Sequence, residues 1–485
     1  MPARRVACFA VVMLAPVLMV ACDSGEAAAP PSRTGLFLSD IHFNPLADTT
    51  IVDRLAQAPA SQWDSIFATS GQTACATYQA DTNFALLQSA LAAMQQRVPN
   101  PDIVFVSGDL LMHLFQKYFD AAATDHSQPA YEAYVDKTEQ YLAMKLAQTF
   151  PNAQIVPTLG DWDTAGGTTA SYAGPGFLSS FASAWNDAVD RHGGAPDFQA
   201  TFSTGGYYST TFPIDPRGRL IGLYTQPWAA ECTSGCAPGA GTLGTAELEW
   251  LTTQLAQARS QGLRVWLLGH IPPGIDANTT SQNLAKGTSC SAAITPFWAD
   301  AYSSQLAALF TEYRDVLAFG IFAHEHYDDL RLVRDSSGTP VFGVKLPPSI
   351  TPLHNNPAFV QFRYDPAVGV ITDTTTWYLN NLSSSPTATS ALWAEEYSFD
   401  ATYQQSAFDT TGVAGAVARI VGQADAQSSY VKFYPSLDPA GVPSGGLVPF
   451  LAWACALDHT TVADYSACYC SNPGDGPAAS GAGSL

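Results

Sequence analysis

Five short segments of this chain share one arrangement, an apolar run of strand length that closes on Gly, Asp or His. Residues 35–43 carry Ser39-Asp40-Ile41-His42, and residues 103–107 lead into Gly108-Asp109. Residues 154–159 lead into Gly160-Asp161-Trp162-Asp163, 264–269 into His270, and 316–322 into Ala323-His324-Glu325-His326. Apolar runs of this length read as buried strands. Helical spacing fills the intervals at 83–96, 131–150, 175–191, 246–261 and 297–314. Alternating strand and helix predicts an α/β chain. In open α/β sheets, sites form beyond the carboxyl ends of the strands. Five such ends are therefore expected to bring carboxylates and imidazoles to one edge.

These are donor types that divalent cations such as zinc accept. Asp40 and His42 stand two apart, so in an extended segment both side chains point the same way, and so do those of His324 and His326. Asp40, His42, Asp109, Asp161, His270, His324 and His326 make seven donors. That is more than one ion needs. Two ions sharing one carboxylate, about 3.5–4 Å apart, fit better.

Together the blocks Asp40-x-His42, Gly108-Asp109, Gly160-Asp161-x-Asp163, Gly269-His270 and Ala323-His324-x-His326 resemble those of the calcineurin-like metallophosphoesterases. Finer similarities point to the acid sphingomyelinase-like phosphodiesterase branch. They are Gly108-Asp109-Leu110 with His113, Leu268-Gly269-His270-Ile271-Pro272-Pro273-Gly274, and Pro348-Ser349-Ile350-Thr351-Pro352 with Asn355-Asn356-Pro357. The segment Trp393-Ala394-Glu395-Glu396-Tyr397-Ser398-Phe399 and the Cys468-Tyr469-Cys470 end are also similar, so the resemblance spans residues 35–470. It implies a mixed β-sandwich flanked by helices. It assigns Asp40, His42, Asp109 and His326 to one metal and Asp109, Asp161, His270 and His324 to the other. Zinc is the implied metal, with iron or manganese suited to the same donors. The implied reaction is hydrolysis of a phosphodiester or phosphoanhydride by in-line attack of a metal-bridging hydroxide.

Two positions depart from that family. Asp161 stands where Asn is usual and Trp162 where His is usual. Asp161 adds negative charge, and Trp162 cannot donate a proton. His113 is then the expected proton donor to the leaving oxygen. Trp162 is a candidate substrate contact by stacking, as are Asn355 and Asn356 at the rim; turn formation is the competing reading for the two asparagines. The alternatives in function are a phosphomonoesterase or nucleotidase, and a metal-binding surface lipoprotein without turnover. No P-loop, Gly-x-Ser-x-Gly or His-Glu-x-x-His motif occurs.

The formal net charge of −21 argues against nucleic-acid partners and against electrostatic docking on an anionic membrane. A small phosphate ester is the expected partner. Arg4 and Arg5 followed by the apolar stretch 6–20 read as a signal peptide, residues 1–21. Leu18-Met19-Val20-Ala21-Cys22 resembles a bacterial lipobox, with Met19 where Leu is usual, which makes Cys22 a candidate lipid anchor and residues 22–34 a tether. Export of this kind places the chain in the periplasm, at the cell surface or outside the cell. It also makes disulfides the default for the seven cysteines after Cys22. Cys232 can pair with Cys236, and Cys455 with Cys468 or Cys470. The tether runs straight into the first strand, so no saposin-like domain is expected ahead of it.

The phosphoesterase domain is expected over 35–379. Hairpins are expected over 206–225 with a turn at 215–218, over 329–346, and over 360–377. A helical subdomain is expected over 380–470, with short helices at 393–399, 413–420 and 428–434. Residues 471–485 are rich in Gly, Ala, Ser and Pro and read as a disordered tail.

Overall fold

In the computed structural model the described residues are 33–471, apart from 165, 167–172, 237–239, 368 and 439–447. The expected signal peptide, Cys22, most of the tether and nearly all of the tail lie outside them.

Among the described residues twelve strands form two six-stranded sheets. The first sheet is ordered β12-β11-β10-β1-β2-β3. Its members are β1 (Arg33–Leu38), β2 (Ile103–Val106), β3 (Gln154–Pro157), β10 (Ala358–Asp365), β11 (Val370–Leu379) and β12 (Trp393–Ser398). The second is ordered β4-β5-β6-β7-β9-β8. It comprises β4 (Tyr208–Phe212), β5 (Asp215–Gly222), β6 (Arg264–Leu268), β7 (Leu317–Ile321), β8 (Asp329–Arg334) and β9 (Pro340–Leu346). β1, β2 and β3 run parallel, as do β5, β6, β7 and β9. Antiparallel strands complete both sheets. The predicted mixed sandwich is therefore the observed one.

A parallel strand whose two faces are both covered reads as a continuous apolar run, and the central β2 is the case here. β2 is Ile-Val-Phe-Val and every residue is buried. Within the first sheet Phe37 stacks on Phe362 at 4.6 Å, and between the sheets Phe105 lies parallel to Trp266 at 5.9 Å. Alternate residues of the second sheet face outward. Ile221, Val265 and Leu267 join Leu251 and Leu255 of the helix Ala240–Gln261, and Leu306 and Phe310 of the helix Asp300–Glu312.

Two expectations are corrected. Of residues 393–399, Trp393–Ser398 form an edge strand and not a helix, and Phe399 begins the short helix Phe399–Tyr403. Trp393 and Tyr397 are spaced i, i+4, which fits both periods; the open edge of β11 decides by pairing with them. The helix Phe84–Arg97 then covers this strand, with Trp393 Nε1 donating to Ser89 Oγ at 2.8 Å. The first hairpin turns at Pro213 and Ile214, and residues 215–218 belong to β5. Asp215 is held in the strand because its Oδ2 accepts from Tyr364 Oη at 2.6 Å and from Arg264. The other two hairpins form as expected, as do the helices Thr410–Gly422 and Ala424–Phe433.

Among the described residues three disulfides join Cys232–Cys236, Cys290–Cys470 and Cys455–Cys468. Cys75 is a buried free thiol. Among the described residues no helix is long and apolar enough to cross a membrane.

Candidate metal centre

All five expected blocks follow the carboxyl ends of parallel strands: β1, β2 and β3 in one sheet, β6 and β7 in the other. The chain does not leave these strands in extended form, and the expectation for Asp40-x-His42 and His324-x-His326 is corrected here. Asp40, His42, Asp109, His324 and His326 all have φ between 41° and 78°. Left-handed backbone is uncommon outside glycine, though Asp and His tolerate it better than most, and each instance costs about 1–3 kcal/mol. The surroundings must therefore hold these turns. Asp40 N donates to Gly108 O at 3.1 Å and His42 N to Asp109 O at 2.9 Å, so the first two loops brace each other. Thr351 N donates to Asp40 O at 3.1 Å, Ser349 N to His326 O at 3.0 Å, and Ala323 N to His270 O at 2.7 Å. The Pro348-Ser349-Ile350-Thr351 segment thus buttresses one turn from each sheet.

The seven donors fall into two groups, within each of which one ligand atom per residue lies within 4.8 Å of the others. Asp40, His42, Asp109 and His326 make the first; Asp109, Asp161, His270 and His324 make the second. Asp109 is common to both. Its Oδ2 stands 3.3 Å from His42 Nε2 and 3.2 Å from His270 Nε2. Its Oδ1 is occupied, accepting the Trp162 backbone N–H at 3.0 Å. In the second group Asp161 Oδ1 receives His270 Nε2 and His324 Nδ1, each at 2.9 Å. In the first, the Nε2 atoms of His42 and His326 converge to 3.2 Å.

The ring orientations come from the protein. His42 Nδ1 sits 3.0 Å from Leu111 O and His270 Nδ1 sits 2.8 Å from Ser107 O, which turns both Nε2 atoms inward. Burial pushes His42 and His326 well below the ordinary imidazole pKa, so both are neutral with lone pairs to give. Burial also opposes charge on His324, but the Asp161 charge and hydrogen bond overcome it and lift the pKa to about 9. The Asp40 carboxylate is fully buried and neither oxygen has a hydrogen-bond partner. An isolated buried carboxylate is costly, and a cation removes the cost. The donor set therefore fits two metal ions.

Glycine is required twice at the crossing of these loops. A Cβ on Gly160 would lie 2.0 Å from Asp109 Oδ1. One on Gly108 (φ +88°) would lie 2.6 Å from Gly160 N and 2.8 Å from His270 Nδ1.

His113 stacks on His42 with ring centroids 3.8 Å apart and meets the Trp162 ring edge-on at 4.9 Å. Burial lowers its pKa, but the Asp81 hydrogen bond and charge outweigh this and hold it above the ordinary value. Asp81 Oδ1 pairs with His113 Nδ1 at 2.7 Å and Asp81 Oδ2 accepts the His113 backbone N–H at 2.9 Å. A cavity of about 480 Å³ opens beside His113, walled by Asp81, Met112, Leu114, Tyr118 and Leu353. A second, of about 230 Å³, lies beside His324 against Asp276, Phe297, Glu325 and Tyr327.

The side chains of Asn355 and Asn356 are engaged by the protein itself. Asn355 Oδ1 accepts from Ser349 Oγ at 2.9 Å, and Asn356 Nδ2 donates to Ser436 O at 2.8 Å. Two contributors escaped the sequence reading. Asp81 is an isolated loop carboxylate with no signal around it. Asp163 was visible as the second Asp of an Asp-x-Asp pair. It accepts backbone N–H groups from Gly160 at 2.9 Å, Leu110 at 2.8 Å and Leu111 at 3.0 Å, tying the second block to the third.

An α/β sandwich with two acid–imidazole groups sharing one aspartate is the arrangement of a dinuclear metallophosphoesterase, and the chain is a homologue of the acid sphingomyelinase-like phosphodiesterases. It is 24% identical to acid sphingomyelinase-like phosphodiesterase 3b of Mus musculus over 446 residues, 89% of this chain and 88% of that protein. Sphingomyelinase phosphodiesterase C of Dictyostelium discoideum is 26% identical over 313 residues, 61% of each chain. No family model matches. A solved dimetal phosphatase from Danio rerio aligns with 75% of this chain and 99% of its own, at 12% identity and a TM-score of 0.41.

Proposed function

We propose that this chain hydrolyses phosphodiesters outside the cytoplasm, with zinc at both metal positions. The observation that carries the reading is the pair of donor groups joined at Asp109. Asp40, His42, Asp109 and His326 would hold one ion, and Asp109, Asp161, His270 and His324 the other. When bound, two such ions withdraw charge from phosphoryl oxygens and lower the pKa of a water between them.

The chain's own residues supply the rest. The Trp162 backbone N–H engages Asp109 Oδ1 and so directs Oδ2 at both donor groups. His113 delivers a proton to the leaving oxygen. Asp81 holds one ring nitrogen of His113 at 2.7 Å, which frees the other for the substrate. The Trp162 ring stands edge-on to His113 at 4.9 Å, beside the proton-bearing ring. Diester preference is supported by the names of the relatives reported above, each a phosphodiesterase. Export is supported by the three disulfides, which persist in oxidising compartments. The signal-like residues 1–21 and Cys22 agree with it.

The test is hydrolysis of bis-p-nitrophenyl phosphate beside p-nitrophenyl phosphate, with and without chelator, in the native chain and in Asp109→Asn. Diester turnover should disappear on chelation, return with zinc, and fall at least about a hundredfold in the variant. Activity that survives both treatments refutes the reading. Faster turnover of the monoester favours a nucleotidase-type enzyme instead, and bound metal without turnover a binding protein.

A further inference from the structure

Next to the His324 turn lies a buried group of charges that the chemistry above does not use. Glu325 separates the two histidines, and its side chain is 4% exposed. Arg331 on β8 is 1% exposed. Its guanidinium donates to Glu325 Oε2 through one nitrogen and to Asp329 Oδ2 through another. That second nitrogen also reaches Leu330 O at 2.9 Å. Asp329 Oδ1 in turn accepts from Tyr430 Oη at 2.7 Å, and Tyr430 belongs to the helix Ala424–Phe433. Just beyond that helix Tyr434 stacks on Tyr327 at 4.4 Å and accepts the Asp328 N–H at 2.9 Å.

His324 and His326 both have left-handed backbone, at φ 78° and 66°. They serve opposite donor groups, so the turn between them sets the relation of one group to the other. The backbone bonds of Ala323 and His326 hold its two ends. Its middle residue is held through the Glu325 side chain. A fully buried guanidinium shared by two carboxylates has one low-energy arrangement, because moving it strands a charge without water.

We propose that Arg331 is a positioning residue of the metal centre. It clamps Glu325 and thereby sets the His324–His326 turn, while Tyr430 locks Arg331 through Asp329. The helix Ala424–Phe433 is then part of what keeps the two donor groups in register. The proposal rests on the two-metal reading above.

The test uses the full chain, stripped of metal and titrated with Co(II) and with zinc. It compares wild type with Glu325→Ala, Glu325→Gln, Arg331→Lys and Tyr430→Phe. Metal affinity, the visible Co(II) spectrum, and kcat and KM on bis-p-nitrophenyl phosphate are read for each. Glu325→Ala should weaken binding of at least one ion by about 10–100-fold, shift the Co(II) spectrum and lower kcat with KM little changed. Glu325→Gln keeps an oxygen for Arg331 and should recover most of the loss. Tyr430→Phe removes a single hydroxyl from a buried ring. It should move affinity and spectrum in the same direction, and it decides the matter if Glu325→Ala or Arg331→Lys does not fold. Wild-type affinity and spectrum in Tyr430→Phe and in whichever of Glu325→Ala and Arg331→Lys folds, together with a lowered melting temperature, would overturn the proposal, leaving a structural ion pair. A wild-type chain that binds no Co(II) overturns the two-metal reading and the proposal with it.

Discussion

Asp109 is placed by neighbours that leave it little freedom. Gly160 gives it room, Trp162 N–H takes one oxygen, and Asp163 anchors the backbone on both sides. Gly160→Ala should therefore leave secondary structure intact while abolishing stoichiometric metal binding; circular dichroism beside metal analysis reads both. Asp163→Ala strands three buried N–H groups and should cost about 3 kcal/mol or more, measured by denaturant unfolding. His113 tests the proton-donor role. His113→Asn should lower kcat about 10²–10⁴-fold on alkyl diesters, whose leaving oxygen needs a proton, and much less on p-nitrophenyl esters. Equal losses on both would remove His113 from that role.

Among the elements, the loops after the strands matter more than the strands. Parallel pairing fixes where each strand stops, and the backbone bonds between neighbouring loops fix how its ligands turn inward. This was the least legible part of the sequence. Period-two reasoning placed Asp40 and His42 on one side for the wrong reason. Both do reach the same site, but through left-handed residues stabilised by bonds to the loop after β2. The long helix Ala240–Gln261 offers a separate test. Its Glu247 is buried and accepts the Tyr224 N–H at 2.7 Å. Burial pushes this carboxyl well above its ordinary pKa. Its folded pKa exceeds its unfolded one, so its share of stability is complete below about pH 4.3 and is lost as pH rises towards the folded pKa. Glu247→Gln should raise the melting temperature at pH 8 and leave it unchanged near pH 4. A rise of equal size at both values would contradict this.

Across the molecule, the disulfides differ in what they close. Cys290–Cys470 spans 180 residues and Cys232–Cys236 spans 4. By chain entropy the first is worth about 5 kcal/mol and the second about 2 kcal/mol. Cys470→Ser should lower the melting temperature more than Cys236→Ser. The sequence by itself determined the α/β class and the five strand-end blocks, because apolar runs ending in Asp, His and Gly are local signals that period and composition can carry, and the resemblance of those blocks implied the mixed sandwich. It determined neither the pairing of Cys290 with Cys470 nor the strand at 393–398, since an i, i+4 spacing and a cysteine count both admit several partners. Only the tertiary structure decided these. It also decided that Asp81 supports His113, that Asp163 joins two loops, and that Arg331 lies behind the metal-donor turn. Each of those contacts joins residues that no period or local spacing relates, and burial, which makes an unpaired charge costly, selected them.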